Sequence, residues 1–142
     1  MNSIIGTWKL LSFKVHEFGE DGRVRYPYGS DVSGLLIYDR QGYMSETIAA
    51  NTRPQVSAID TSLMVDEEKM AIAEHFSGYA GKFEIQDDTI LHHIEVSFHP
   101  NRTGTTQEKS YCFDDEKLIL RVPPLRFGEK LFEPMSVWER AS

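Results

Sequence analysis

Short runs rich in β-branched and aromatic residues, separated by clusters of turn-forming residues, recur along almost the whole chain. They predict strands near 6–18, 22–26, 33–39, 42–49, 78–86, 89–99, 105–114, 117–123 and 134–140. The turn clusters, such as Asp39-Arg40-Gln41-Gly42, join neighbouring runs within hairpin length. Eight or nine strands connected so closely leave exposed edges unless the sheet closes on itself. The sequence therefore predicts an all-β fold, a single antiparallel β-barrel over residues 1–142.

One segment, around 66–77, has helical rather than strand periodicity. Met70, Ile72 and Phe76 form an apolar stripe on it, and Gly78 is expected to end it. We expect this one short helix to pack against an end of the barrel.

Charge and cysteine content restrict the partners and the compartment. The chain has 15 basic and 22 acidic residues, a formal charge of −7, with no basic block, so nucleic acids and anionic membranes are not expected partners. No apolar window is long enough to span a bilayer, and the first residues do not look like a signal peptide. Cys112 is the only cysteine. We therefore expect a cytoplasmic protein without an internal disulfide. The oligomeric state stays open, with a homodimer as one option.

Hairpin geometry predicts which side chains face the barrel interior. With Asp87-Asp88 as the tip of a hairpin, residues on one face pair across two strands. The expected pairs are Ile85 with Ile90, Phe83 with His92, Gly81 with Ile94, and Tyr79 with Val96. The opposite face is polar enough to meet water, so this set is predicted to point inward.

The next two hairpins extend the same face. They place Gln107 opposite Phe98 and Lys109 opposite Val96. Tyr111 then pairs with Leu120, and Phe113 pairs with Leu118. The predicted wall is thus apolar and aromatic, interrupted by His92, Gln107 and Lys109. Buried polar groups are costly without partners, so either a polar group of a ligand or an internal water network satisfies them, unless a one-residue slip turns them outward.

The hairpin formed by residues 33–49 has two partly apolar faces. We predict that Tyr38, Tyr43, Ser45 and Thr47 point inward, because that choice leaves Glu46 in water.

Several catalytic and metal-binding patterns are absent from the sequence. It contains no phosphate-binding glycine loop, no Gly-x-Ser-x-Gly elbow and no helical His-Glu-x-x-His motif. His92 and His93 point to opposite faces of a strand, and His93 to His99 spans about 20 Å along it. We therefore expect neither a metal site nor a cofactor.

Gly6-Thr7-Trp8-Lys9-Leu10 resembles the Gly-x-Trp opening of lipocalins and fatty-acid-binding proteins. Over almost its whole length the chain is similar to the bacterial and fungal lipocalin-like domain family. The matching stretches are Pro27-Tyr28-Gly29, Gly34-Leu35-Leu36-Ile37-Tyr38, Gly42-Tyr43-Met44-Ser45, Tyr79-Ala80-Gly81-Lys82-Phe83-Glu84, His92-His93-Ile94-Glu95-Val96-Ser97, Pro100-Asn101, Gly104-Thr105-Thr106-Gln107 and Leu118-Ile119-Leu120-Arg121-Val122-Pro123-Pro124.

The resemblance implies a lipocalin-like barrel of 8–9 strands and no defined activity. It also implies that Trp8 closes one end, with Arg140 packed over it in a cation–π contact. Lys109 departs from the family pattern, in which many members are expected to have Arg.

Three functions remain open at this point. The first is binding of a small, largely apolar metabolite by residues of the interior. The candidate ligand-binding residues are Tyr38, Tyr43, Ser45, Tyr79, Phe83, His92, Ile94, Gln107, Lys109 and Tyr111. The second is a cofactor-independent cyclase, isomerase or dehydratase of small-molecule biosynthesis, with His92 and Lys109 as catalytic residues. The third is a structural or partner-binding domain with a packed interior.

Overall fold

A computed structural model describes residues 3–19, 22–57 and 59–141 of the chain. The strands are β1 (Gly6–Phe18), β2 (Arg23–Arg25), β3 (Val32–Tyr38), β4 (Tyr43–Ala50), β5 (Phe76–Gln86), β6 (Thr89–Ser97), β7 (Thr106–Asp114), β8 (Lys117–Arg121), β9 (Leu125–Phe127) and β10 (Lys130–Arg140). The helical parts are α1 (Asp66–Ala73) and two 3₁₀ turns, Thr61–Leu63 and Pro100–Arg102. The all-β prediction is confirmed. No helical segment of the described chain has the length and hydropathy that crossing a bilayer requires.

Eight antiparallel strands form a closed barrel in the order β1-β3-β4-β5-β6-β7-β8-β10. The barrel closes where β10 returns to β1, with Trp8 opposite Arg140 and Leu10 opposite Trp138. Closure gives every barrel strand two neighbours, which is the solution expected for so many closely connected strands.

Strands β1 and β10 run beyond the barrel at one end. There β2 pairs with β1, with Val15 opposite Arg25, and β9 pairs with β10, with Leu125 opposite Phe132. We call this four-stranded extension, made of 15–18, 23–25, 125–127 and 130–134, the flap. Strand β9 was not predicted from the sequence, and the last strand begins at Lys130 instead of at the predicted Pro134.

An ion-pair cluster lies at the centre of the flap. Glu17 is buried and contacts both Arg25 and Lys130, each at 2.7 Å. The contact with Lys130, and to a smaller extent that with Arg25, holds the pKa of Glu17 below its ordinary value.

The other end of the barrel is sealed by Trp8. The Arg140 guanidinium lies 4.3 Å from the centre of the Trp8 ring, which confirms the expected cation–π pair. The indole Nε1 donates to the Ile4 carbonyl at 2.8 Å. Gly6 has a φ of +132°, and a Cβ there would lie 2.9 Å from Nη1 of Arg140, so only glycine fits this position. The Gly-x-Trp opening therefore makes room for the arginine that covers the tryptophan.

The register of the β5–β6 hairpin is partly as predicted. Ile85, Phe83 and Gly81 face their expected partners. The fourth predicted pair is wrong, because a bulge places Val96 opposite Ala80 and turns it to solvent. A Cβ on Gly81 would lie 1.9 Å from the His93 carbonyl oxygen, so the bulge needs glycine at that point.

The β6–β7 register differs from the prediction by six positions. Gln107 lies opposite His92 and Lys109 opposite Ile90, because the Pro100–Arg102 turn lengthens the connection. Side chains alternate between the two faces of a strand, so a shift by an even number of positions keeps the same face inward, and Lys109 is buried as predicted. The pairs of the β7–β8 hairpin, Tyr111 with Leu120 and Phe113 with Leu118, are as predicted.

The facing of β4 is the opposite of the prediction. Tyr38 on β3 is buried as expected, but Tyr43 is 47% exposed, and Ser45 and Thr47 share its outward face. Glu46 is only 4% exposed. Lys109 on β7 is buried beside Glu46, and its positive charge makes the burial of the carboxylate possible.

The helix is shorter than predicted. It ends at Ala73, and Phe76 already belongs to β5. No residue of α1 is buried, and Met70 is exposed, so the predicted packing of an apolar stripe is wrong. Instead the helix is joined to the preceding loop by hydrogen bonds from Arg53 to the Ile72 carbonyl and from Ser57 to Glu68.

Candidate functional site

The barrel interior contains a cavity of about 350 Å³ that opens towards the flap. Its wall is formed by Phe13, Tyr28, Glu46, Ile48, Ser77, Gly78, Tyr79, Arg102, Gln107, Lys109, Val122, Leu125 and Pro134. Polar side chains line one part of this wall and apolar side chains line the other. The cavity is therefore amphiphilic and opens at the end opposite Trp8.

An ion pair crosses the polar part of the wall. Lys109 on β7 approaches both carboxylate oxygens of Glu46 on β4, at 3.2 and 3.3 Å. Both side chains are buried. An isolated charge in such a place would be strongly destabilising, so each residue accounts for the burial of the other.

The carboxyl of Glu46 is ionised despite its burial. Burial by itself would raise its pKa, but the positive charge of Lys109 and the hydrogen bonds from its ammonium group outweigh this effect and leave the pKa below its ordinary value. The wall therefore carries a fixed pair of opposite charges at neutral pH.

A histidine between two tyrosines lies next to this pair. The hydroxyl of Tyr38 is 2.6 Å from Nε2 of His92, and that of Tyr79 is 2.6 Å from Nδ1. Burial, followed by the positive charge of Lys109, lowers the pKa of His92 to about 3. The imidazole is therefore neutral, with one nitrogen donating and the other accepting.

The neutral imidazole limits the direction of these hydrogen bonds. Only one of its ring nitrogens carries a proton, so one of the two tyrosines accepts from the ring and the other donates to it. Burial, and then the negative charge of Glu46, raise the pKa of both tyrosines well above the ordinary value. The chain of contacts runs from Tyr38 through His92 to Tyr79, whose ring centre lies 5.8 Å from Nζ of Lys109 in its ion pair with Glu46.

Arg102 brings a second cation to the cavity. It comes from the 3₁₀ turn between β6 and β7, and its guanidinium lies 4.8 Å from the centre of the Tyr79 ring. Its Nη2 donates to Oε1 of Gln107 at 3.0 Å. Stacking and this hydrogen bond together hold the guanidinium in place.

The apolar part of the wall lies towards the opening. The rings of Phe13 and Tyr28 meet edge to face, with their centres 5.2 Å apart. Val122, Leu125 and Pro134 complete the opening. Leu125 belongs to β9 and Pro134 to β10, so the flap forms part of the rim.

The structure separates the predicted site residues into three groups. Tyr79, Gln107 and Lys109 line the cavity, and Tyr38 and His92 lie behind them. Phe83, Ile94 and Tyr111 pack in the core below, with the Tyr111 hydroxyl donating to the Asp87 carbonyl. Tyr43 and Ser45 lie on the outside of β4, so their inward placement was wrong.

Several residues of the wall were not predicted from the sequence. Glu46 could have been found, because an inward lysine at position 109 requires a buried anion on another strand. Arg102 and Tyr28 lie in turns, where strand alternation gives no signal. Phe13 follows a bulge in β1 between Leu10 and Ser12 that reverses the facing.

Comparisons with known proteins find three kinds of similarity. A family model described as a lipocalin-like domain matches residues 5–141. The 4'-hydroxy-3'-methoxypropiophenone carrier protein ppsC of Aspergillus oryzae is 30% identical over 74 residues, which cover 46% of this chain and 67% of that protein.

Two solved structures are similar to this chain over most of its length. An uncharacterized protein from Bacteroides eggerthii has a TM-score of 0.40 at 12% identity, covering 92% of this chain and 98% of its own. A point mutant of the fluorescent protein UnaG has a TM-score of 0.40 at 13% identity, covering 98% of this chain and 96% of its own.

Proposed function

This chain belongs to the lipocalin-like domain family, and on that premise we propose that its barrel binds one small, largely apolar molecule. The observation that supports the proposal is the amphiphilic cavity of about 350 Å³, with a fixed ion pair on one side and an apolar rim on the other. The apolar body of the ligand lies against the rim, and its polar group meets Tyr79, Gln107 and Lys109.

The size and chemistry of the cavity suit a molecule of one or two rings. Its volume is at the lower end of the range for ligand pockets, roughly 300–1,000 Å³. The similar protein of Aspergillus oryzae is named as a carrier of an aromatic ketone with hydroxyl and methoxy groups. A substituted aromatic molecule with oxygen groups at one end is the ligand class we propose.

The alternative of a cyclase, isomerase or dehydratase depended on His92 as an acid or base near neutral pH. Both of its ring nitrogens are engaged by tyrosines, its exposed fraction is 0%, and its pKa is about 3. This geometry does not favour proton transfer to a ligand. A cavity of this size also argues against a packed structural interior.

We further propose that the chain acts as a single domain in the cytoplasm, without a nucleic-acid or membrane partner. The formal charge of −7 and the single cysteine support this proposal.

The proposal is tested with the neutral probe N-phenyl-1-naphthylamine, followed by fluorescence and by native mass spectrometry. We expect saturable binding of one probe per chain. Val122→Trp fills the opening of the cavity and should abolish uptake. Val96→Trp makes the same change on the outer face of the barrel and should leave uptake unchanged.

Two results would contradict the proposal. One is a wild-type protein that takes up no probe. The other is uptake that survives Val122→Trp, because the probe would then bind outside the cavity. Native mass spectrometry of freshly purified protein adds the identity of any molecule already bound, and its recovery unchanged after incubation separates a carrier from an enzyme.

A further inference from the structure

We infer that the polar end of the ligand is an anion with two or more oxygens, such as a carboxylate, and that Arg102 is the residue that selects it. The inference rests on the proposed function, because it requires the ligand to lie in the cavity. It adds the charge of the ligand and the side chain that recognises it.

The charges that line the cavity do not balance. The charged side chains of the wall are Glu46, Lys109 and Arg102. Glu46 and Lys109 neutralise each other at 3.2 Å. In the part of the chain that the structure describes, no carboxylate forms an ion pair with Arg102, whose side-chain hydrogen bond goes to the neutral amide of Gln107. The cavity wall thus carries one surplus positive charge.

The position of Arg102 suits the recognition of an anion with two or more oxygens. A guanidinium has five N–H donors in a planar fork, and the bond to Gln107 uses one of them. Because the ring of Tyr79 supports the face of the fork, its edges are the parts that can meet a ligand. Paired N–H groups match a carboxylate or sulfonate better than a single carbonyl oxygen.

The surroundings of Arg102 favour an amphiphile over a small inorganic anion. Val122 and Leu125 line the same cavity and provide apolar contact for a hydrocarbon body. The chain as a whole carries a formal charge of −7, which repels anions over long range. Preference for an anionic ligand must therefore arise from the local charge of the cavity.

Two probes with the same ring skeleton test the inference. The anionic probe is 8-anilinonaphthalene-1-sulfonate, and N-phenyl-1-naphthylamine is the same molecule without the sulfonate. Dissociation constants of both are measured by fluorescence titration for the wild type and for three variants. Arg102→Gln removes the charge, and Arg102→Lys keeps the charge without the fork. Arg40→Gln makes the same change in net charge in the exposed turn between β3 and β4.

We expect Arg102→Gln to raise the dissociation constant of the anionic probe roughly tenfold or more, which is the effect of losing a hydrogen-bonded charge. The neutral probe should bind as before. Arg102→Lys should recover part of the loss, and Arg40→Gln should bind both probes like the wild type. Thermal unfolding of each variant verifies that it is folded.

The outcomes separate this inference from the proposed function. If Arg102→Gln leaves the ratio of the two dissociation constants unchanged, the inference is overturned and the binding function stands. Anionic probe that still binds to Val122→Trp would lie outside the cavity, which also overturns the inference. A wild-type protein that binds neither probe overturns the proposed function and this inference with it.

Discussion

Both ends of the barrel contain an arginine stacked on an aromatic ring, and they use it differently. At the closed end, the Arg140 guanidinium covers Trp8 and donates to the carbonyls of Ser3 and Ile5. At the flap end, Arg102 covers Tyr79 and donates to the side chain of Gln107. Backbone carbonyls occupy the donors of Arg140, so that pair forms a seal. Arg102 lines a cavity and makes a side-chain hydrogen bond only to Gln107, so the same pair of groups can serve recognition.

The interiors below the two arginines also differ. Under Arg140 the core is apolar, with Trp8, Leu118 and Trp138 fully buried. Under Arg102 lies the chain of polar contacts that ends at Lys109. The comparison predicts that stability depends on packing at one end and on charge compensation at the other, and the following experiments test it.

The largest effect is expected from Lys109→Met, which leaves Glu46 buried without its cation. The free energy of unfolding should fall by about 3–5 kcal/mol, as found when one partner of a buried pair is removed. Urea unfolding measures it. The double variant Glu46→Gln with Lys109→Met should recover much of the loss. A loss below about 1 kcal/mol in the single variant would show that the carboxylate reaches water and that the flap end does not depend on the pair.

The second effect is a loss of stability in mild acid. The pKa of His92 is about 3 in the folded protein against 6.5 in the unfolded chain, so the unfolded chain binds a proton that the folded protein does not. Stability is therefore full above pH 6.5 and falls as the pH decreases towards 3. Between pH 7 and pH 5 the free energy of unfolding should decrease by about 2 kcal/mol.

Urea unfolding at the two pH values, compared with His92→Gln, measures this contribution. His92→Gln should lose the dependence over this window, whereas the exposed His99→Gln should keep it. A dependence that is the same in all three proteins would assign the acid sensitivity to groups other than His92.

A smaller effect is expected from Arg140→Gln at the closed end. The variant loses the cation–π contact and the bonds to two carbonyls, which together stabilise the fold by roughly 1–2 kcal/mol. Fluorescence of Trp8 and Trp138, the two tryptophans of the chain, reports the change because both lie in the apolar core. The neutral probe should bind this variant normally. Weaker probe binding would mean that the two ends are coupled.

The smallest effect on stability is expected from Arg102→Gln. Arg102 makes one side-chain hydrogen bond where Arg140 makes two, and its stacking on Tyr79 should contribute less than about 1 kcal/mol because its guanidinium is only partly buried. Thermal unfolding measures the difference. A loss as large as that of Arg140→Gln would give both arginines the same sealing role and remove the contrast between the two ends.

Local pairing could be predicted from the sequence, and long-range compensation could not. Tight turns fixed the pairs Phe83 with His92 and Tyr111 with Leu120, because hairpin register follows directly from the position of the tip. The longer β6–β7 connection concealed a 3₁₀ turn and shifted the register. Lys109 nevertheless kept its predicted facing, because strand alternation depends only on parity.

Glu46 shows why part of the site was out of reach. A carboxylate in a strand is expected in water, and β4 was oriented on that rule. The partner that changes the outcome lies on β7, 63 residues away in the chain. Strand β9 has only three residues, between Pro124 and Gly128, and so short a run gives too weak a pattern to predict the flap.

The pairing of β1 with β10 has a consequence for the order of events during biosynthesis. Trp8 meets Arg140, and Val15 meets Pro134, so both the seal and the rim of the cavity are built from strands at opposite ends of the described chain. While the ribosome is still adding β10, the earlier strands can form hairpins but enclose no volume. The wall of the cavity is therefore complete only after β10 has left the exit tunnel.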